Sequence, residues 1–447
     1  MRTRIRRQAV AAPAVTSPPG GLTPTASAPG APASKARPLD GPALTPGSAL
    51  PTTTRPRTSG GSVVLGAATA RALRAASGQG DLSWGLRSAV VPWVVARVIV
   101  AGALVAAHEF VNEAKPSVAV ATRVHEGLLG WDAGWYETIA RHGYAGAGHL
   151  SLRFFPLVPL LTRAVSYVPG IGFGVALVVV ANVSSFVGVV LLAVLARRET
   201  GDDALARRAA WLLCLAPAAF TQVMGYAEGT LLALSIGTML ALRARAWWWA
   251  AALGLAAAAT RPLGVLLVVP AAVEVLRGWR ASPSHGRVAR AAAVVGPAVG
   301  FGAFLGWVRW RYGDALAPLR VQQQGSLRGG VTDPLRTLAH DASLLVHGRH
   351  LGSALHLPWA LLAIALVVVT LRRWPLSYGA FAAAVLVVAL TAANLDGFER
   401  YALSAFPLVL AGASLTSGPR VERVVLTLAA AGLGIYALLA FTNLYVP

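Results

Sequence analysis

The sequence predicts an all-α, multi-span membrane protein, and three observations carry that reading. Hydrophobic residues make up 55% of the 447, and charged ones only 13%. Apolar runs recur along the chain, among them "VALVVVANVSSFVGVVLLAVLA" (175–196) and "LPWALLAIALVVVTL" (357–371). A helix needs about 20 apolar residues to cross a bilayer, so these runs reach or approach a full span. Short joints between the runs alternate in character, arginine-rich on one side and polar or aromatic on the other. A formal charge of +21 would point to nucleic acid in a soluble chain. Here the arginines fall at the ends of apolar runs, where they orient the protein and meet lipid head groups, so no nucleic-acid partner is expected.

Taken in order, residues 1–80 come first and differ from the rest. They hold eleven prolines before residue 57 and almost no large apolar side chains. Such a composition buries too little surface to offset the chain entropy of folding, which predicts a disordered tail. "MRTRIRRQ" begins like a signal peptide, but "AVAAPAVTS" behind it is too short and broken for an apolar core. Basic residues far outnumber Asp40 and Asp81 in this part, which predicts a cytoplasmic tail on a multi-pass plasma-membrane protein.

A multi-span domain is expected over residues 85–447. About eleven apolar segments lie near 88–108, 171–196, 207–223, 226–244, 247–260, 262–277, 288–310, 354–371, 374–394, 401–416 and 421–442. The joints at 197–208, 243–245, 277–290, 372–374 and 419–423 are short and basic, hence cytoplasmic. Opposite them fall 109–153, "MGYAEG" (224–229), "TRPLG" (260–264), 311–353 and "NLDGFERY" (394–401). Arg311, Arg320, Arg328, Arg336 and Arg349 make 311–353 unusually basic for an outer loop. "FFPLVPLLTRAVSYVPG" (154–170) is apolar, short and bounded by prolines, which predicts a partly inserted or interfacial helix.

The polar residues inside this scaffold gather at the outer ends of helices. In "GWDAGWYETIARHGY" (130–144), Asp132, Trp135, Tyr136 and Ile139 follow i, i+3, i+4, i+7 spacing and share one helix face. Glu137 and Arg141 form an i, i+4 pair toward a neighbouring face. Asp132 suits the N-cap of a helix ending at Gly143, with the tryptophans as interfacial anchors. It equally suits a carboxylate that activates a hydroxyl beside an aromatic platform. Glu399 next to Arg400 reads as an ion pair, Asp396 as a turn residue and Asn394 as a cap. His347 and His350 have metal-ligand spacing but no carboxylate at a matching offset, and the single Cys214 supports neither a disulfide nor a metal site. Neither a P-loop nor a dinucleotide fingerprint occurs, so no cofactor is expected.

"WDAGWYETIARHGY", "FFPLVPLL", "GYAEG", "TRPLG" and "ERYALSAFPLV", in that order, resemble the PIG-V-like mannosyltransferases (GPI mannosyltransferase 2-type) of the GT-C superfamily. The resemblance covers roughly residues 125 to 440. It implies a GT-C-type bundle with a long first extracytoplasmic loop and a catalytic aspartate matching Asp132. It further implies transfer of mannose from a polyprenyl-phosphate donor, with inversion, to an extracytoplasmic glycolipid, glycan or protein acceptor. Asp132 and Glu228 are then the catalytic candidates. Trp131, Trp135, Tyr136, Tyr226, Arg261, Arg400 and Tyr401 are the candidates for substrate contact. Arginines at the depth of a lipid phosphate fit that role, because a guanidinium stays charged and binds phosphate with a fork of donors; snorkelling to the head groups is the simpler alternative. Ala227 and Val158 depart from the commoner family pattern. The rival reading is a polytopic transporter or lipid flippase. It needs charged or broken-helix residues near the bilayer midplane, and it gains if Asp132, Glu228, Arg261 and Arg400 lie far apart.

Overall fold

A computed structural model describes residues 61–277, 279, 283–325, 327–346 and 356–446, with side chains from Gly80 onward. The tail expected over 1–80 lies outside the described residues as far as position 60, and so do His347 and His350. Every described helix of membrane-crossing length falls within the compact unit Val64–Pro447.

Among the described residues, five helices are long and apolar enough to cross a membrane. The first is the Gly80–Ala114 part of α1 (Gly61–Ala114). The others are α5 (Phe173–Thr200), the Gly286–Tyr312 part of α10 (Ser284–Tyr312), α13 (His356–Arg373) and α17 (Pro419–Phe441). These five account for five of the about eleven apolar segments expected; the others form shorter apolar helices. Segment 207–223 splits into α6 (Asp203–Leu215) and a 3₁₀ turn at Pro217–Gln222. Segment 262–277 splits into a 3₁₀ turn (Pro262–Leu267) and α9 (Val268–Leu276). Proline explains the first break, since Pro217 lacks the N–H an interior helical turn requires and begins a new element; Pro262 in the same way opens the 3₁₀ turn that separates α9 from the helix before it, Trp247–Ala258. The remaining apolar helices are α7 (Glu228–Arg243), α8 (Trp247–Ala258), α14 (Leu376–Leu390) and α16 (Pro407–Leu415), all below the length of a full span.

Sequence periodicity shows which face of each span turns inward. On α1, Ala89, Ala96, Val100, Ala103 and Ala107 are buried, whereas Val90, Val94, Val98 and Val105 are exposed. A helix that stays apolar on its exposed face is one that meets lipid. Small residues let helices approach closely where no hydrophobic driving force separates helix from lipid. In "GPAVG" (296–300), a Cβ on Gly300 would stand 2.1 Å from the Leu255 carbonyl oxygen, and one on Gly296 2.4 Å from that of Ala251. That spacing lets α10 pack backbone to backbone on α8.

The short helices do the positioning. After α2 (Val118–Glu126), α3 (Asp132–Ala147) runs to a kink at Gly143, where φ is 70°, so its regular part ends where the sequence predicts. The 154–170 segment forms α4 (Leu157–Val165), nine residues and too short to cross, in keeping with an interfacial helix. Arg163 on α4 donates to the Ala140 and Arg141 carbonyls at 2.7 and 3.1 Å, tying α4 to α3. The loop between the α10 and α13 spans carries α11 (Ala317–Gln322) and α12 (Pro334–Val346). Its 328–332 stretch is stapled to the end of α14. Thr332 N–H donates to the Thr391 carbonyl (2.8 Å), and Ala393 N–H to that of Arg328 (3.1 Å). From there the chain enters α15 (Phe398–Ser404).

Candidate active site

Two acids open two helices on the same side of the molecule. Asp132 is the first residue of α3 and Glu228 the first of α7, so each carboxylate sits at the positive end of a helix. The cap of α3 is Trp131 rather than Asp132. Its φ of 58° is a region a bulky side chain seldom adopts. Its indole N–H donates to the Ala440 carbonyl at 3.0 Å, and Arg123 stacks over its ring at 4.1 Å. That bond ties the entry of α3 to the end of α17 and frees Asp132 from a capping role.

Asp132, Arg400, Glu228 and Arg261 form one connected chain. Asp132 Oδ2 accepts from Arg400 at 2.6 Å, and Arg400 Nε stands 3.3 Å from Glu228 Oε1, an ion-pair contact without hydrogen-bond geometry. Glu228 Oε1 also accepts from Arg261. Beside this chain, Asp132 N–H donates to the Tyr226 hydroxyl at 3.3 Å, and Arg400 lies over the Tyr226 ring at 5.4 Å. The pairing expected between Glu399 and Arg400 does not occur. Neighbours on a helix point about 100° apart, and Glu399 turns to the other side of α15. There it meets His356 Nδ1 at 2.9 Å and accepts from the Tyr445 hydroxyl at 2.7 Å. Asp396 stands 3.7 Å from His356 Nε2, and Asn394 donates its side-chain amide to the Leu327 carbonyl at 2.6 Å.

A cavity of about 270 Å³ opens in front of Asp132. Of the candidates, Asp132, Tyr136, Arg261, Arg400 and Tyr401 line it, whereas Glu228 and Tyr226 stand behind that wall. Trp131 and Trp135 are not among the lining residues. Trp135 stacks on Phe154 at 6.0 Å, and Phe154 in turn packs edge-on against Tyr136 at 4.9 Å. With 24% of its side chain exposed against 6% for Glu228, Asp132 is the carboxylate a substrate can reach.

Sequence reasoning missed four lining residues: Arg153, Gln322, Gln323 and Arg328. Arg153 lies 3.7 Å from Asp132 Oδ1. Its position just before "FFPLVPLL" was a usable signal. Arg328 sits in the loop whose basic residues strained the outer assignment. It stacks over the Tyr401 ring at 3.9 Å and donates to the Ala389 carbonyl at 2.8 Å, and its Nε is buried without a partner. Among the described residues no carboxylate lies within ion-pair reach of it. Arg261 and Arg400 stand over the same ring at 5.3 and 5.6 Å. Four guanidinium groups therefore face or back this cavity against two carboxylates, which leaves it net positive and suited to an anion.

Electrostatics fix the state of the reachable acid. Burial pushes the Asp132 carboxyl up, but Arg400, then Arg153 and Arg261, outweigh burial and hold it below the ordinary carboxylate range. It is thus ionised at neutral pH and accepts the hydrogen bond from Arg400. Burial raises the Tyr136 phenol to about 12, so that neighbour stays protonated. Among the described residues no group of three His, Cys, Asp or Glu side chains is placed to hold a metal ion.

Comparison with known proteins sets this geometry in context. The chain is similar to the crystal structure of ArnT from Cupriavidus metallidurans bound to undecaprenyl phosphate, at 18% identity and a TM-score of 0.44. That match covers 70% of this chain and 72% of the other. The apo state of ArnT from the same organism matches at the same identity and TM-score, over 70% and 71%. No curated protein matches the chain. Residues 92–277 match the family described as Mannosyltransferase (PIG-V), a stretch that carries Asp132, Glu228 and Arg261. That match spans 186 of the 447 residues, and over that stretch the chain is similar to a family of mannosyltransferases.

Proposed function

We propose that the chain is an inverting GT-C-type mannosyltransferase. It takes mannose from polyprenyl-phosphate mannose at the extracytoplasmic face and passes it to a glycolipid, glycan or protein acceptor. One observation carries the reading: a single reachable carboxylate, Asp132, faces a cavity walled by Arg153, Arg261, Arg328 and Arg400 or the rings they cover.

The chemistry follows from charge. The donor phosphate carries one negative charge as a diester and approaches two as its bond to the sugar C1 breaks. Cations fixed around the leaving oxygen are worth most where water is scarce. Among the described residues Arg328 has no carboxylate within ion-pair reach, so its charge is the least committed of the four to another group and is offered to the phosphate. Arg261 shares its charge with Glu228, and Arg400 is divided between Glu228 and Asp132. The acceptor hydroxyl loses its proton to Asp132 while its oxygen attacks C1 from the side opposite the phosphate, which inverts the anomeric centre. Gln322 and Gln323 offer neutral amides of the kind that bind sugar hydroxyls.

The lipid tail also has a path. An apolar groove of about 480 Å³ is built on some of the elements that wall the cavity, without sharing a lining residue with it, and is lined in part by Ile139, Pro156, Leu160 and Ala259. These residues lie on α3, on the 154–157 turn and α4, and on the 259–263 turn, the same elements that carry Tyr136, Phe154 and Arg261 into the cavity. That sharing of elements supports a donor whose charged head takes the cavity and whose isoprenoid tail takes the groove. The transporter reading has less support, because Asp132, Glu228, Arg261 and Arg400 form one chain of contacts at helix starts.

A donor comparison with the purified chain tests this. Radiolabelled mannose supplied as polyprenyl-phosphate mannose is expected to reach acceptor lipids or glycans from the membrane fraction, and the same sugar supplied as a nucleoside diphosphate is not. Transfer from the nucleotide donor alone would overturn the reading.

A further inference from the structure

A second apolar groove, of about 600 Å³, lies between α13 and α17. On α13 it is lined by Trp359, Leu362, Ala363 and Leu366, and on α17 by Val425, Leu428, Ala429 and Gly432. Both sets have i, i+3, i+4, i+7 spacing, so each helix turns one whole face to the groove. Leu362 and Leu428 on its rim are exposed. Both helices are apolar enough to cross a membrane, so the opening faces hydrocarbon. Its floor includes α15, whose two sides divide the work. Arg400 and Tyr401 line the catalytic cavity, whereas Glu399, Ala402 and Leu403 line this groove.

The ends of the groove differ in charge. Toward α15 its polar groups are already satisfied: Trp359 donates to the Tyr436 hydroxyl at 2.7 Å, and Glu399 is held by His356 and Tyr445. At the far end, α13 finishes with Arg372 and Arg373, and the first turns of α17 carry Arg420 and Arg423. All four are exposed, and among the described residues none has an ion-pair partner. The acid beside them, Glu422, is taken by Arg208 at 3.1 Å. At 1.5 Å per residue, Arg372 lies about 9 Å beyond Leu366 and Arg420 about 7.5 Å beyond Val425.

An apolar slot in the hydrocarbon with unpaired cations just past one end matches the chemistry of one molecule class. We propose that the α13–α17 groove binds an acyl chain of an anionic phospholipid, its head group held by Arg372, Arg373, Arg420 and Arg423 in the leaflet opposite the catalytic cavity. The site is independent of the sugar-transfer reading, and through α15 its occupant backs the element that presents Arg400.

The full chain, reconstituted in bilayers of equal phosphatidylglycerol and phosphatidylcholine and then extracted gently, is examined by native mass spectrometry for retained lipid. Phosphatidylglycerol is expected to be retained preferentially. Arg372→Gln with Arg420→Gln should reduce that preference roughly tenfold or more, since each basic residue near the surface attracts anionic lipid by about 1 kcal/mol. Ala429→Trp, which fills the slot and leaves the arginines intact, should abolish retention, whereas Arg309→Gln on the exposed end of α10 should leave it unchanged. In the unaltered chain, phosphatidylglycerol with brominated acyl chains should quench a saturable part of the fluorescence. That part should be missing in Trp359→Phe, a result that does not depend on the arginine variants folding. Equal retention of the two lipids, equal loss in Arg309→Gln, or a stoichiometric protein partner seated on α13 and α17 would overturn the proposal.

Discussion

At the scale of single residues, Arg400 carries the most distinctive arrangement. Its guanidinium bonds the reachable carboxylate Asp132, contacts the hidden carboxylate Glu228 and lies over two tyrosine rings. Burial alone would raise the Asp132 pKa, and Arg400 is the largest of the charges that lower it. A base whose pKa is depressed keeps its charge until the pH falls through that depressed value. Sugar transfer should therefore hold level on the acid side until the pH falls below the ordinary carboxylate range. In Arg400→Gln the lowering charge is gone while burial remains. The acid limb of whatever rate survives should move up in pH, because Arg153 and Arg261 alone are then left to oppose burial. A pH–rate profile of both proteins checks this, and an unmoved limb would mean that another group accepts the proton. Residue identity was readable in the sequence where a motif held it: Asp132, Arg261 and Arg400 were all named from their motifs. Contacts were not readable. Nothing in "NLDGFERY" says that Glu399 turns to His356 while Arg400 turns to Asp132, because that depends on which side of a seven-residue helix meets which neighbour. Trp131 shows the same limit, since its indole bonds a carbonyl 309 positions away.

At the scale of elements, the site is built from helix starts and the breaks between helices. "TRPLG" is the plainest case. Pro262 ends one helical run, and Arg261 before it adopts extended backbone, with φ −154° and ψ 155°, which sends its side chain to Glu228. Gly264 then lets the turn close on α8, for a Cβ there would stand 2.2 Å from the Ala257 carbonyl oxygen. Gly264→Val should push this turn off α8. An overpacked position costs about 1–3 kcal/mol, so the melting temperature should fall, and transfer should fall further because Arg261 moves with the turn. Thermal unfolding and a transfer assay on the same preparation separate the two effects; an unaltered melting temperature would contradict the packing described. The sequence located the apolar segments but overestimated their lengths. Hydropathy counts apolar residues across a proline or a 3₁₀ turn as readily as within a helix, so 207–223 and 262–277 looked continuous. It also passed over Arg153 and Arg328, because an arginine in a loop looks the same whether it faces water or a cavity.

At the scale of the whole molecule, spans from the chain's two halves bring together residues more than 260 positions apart, as the contact between Asp132 and Arg400 requires. The long spans supply the apolar frame and the short helices between them hold the charges. α15 lines both the candidate active-site cavity and the proposed phospholipid groove, with Arg400 and Tyr401 on one side and Glu399, Ala402 and Leu403 on the other. The central claim is that Asp132 accepts the proton of the acceptor hydroxyl during sugar transfer from a lipid phosphate. Asp132→Asn keeps the size of the side chain and removes its charge. Transfer from polyprenyl-phosphate mannose should fall by about 10²–10⁴-fold, the usual contribution of a positioned base, while the protein stays folded in the membrane and still binds donor. A variant that transfers mannose at the full rate would contradict the account.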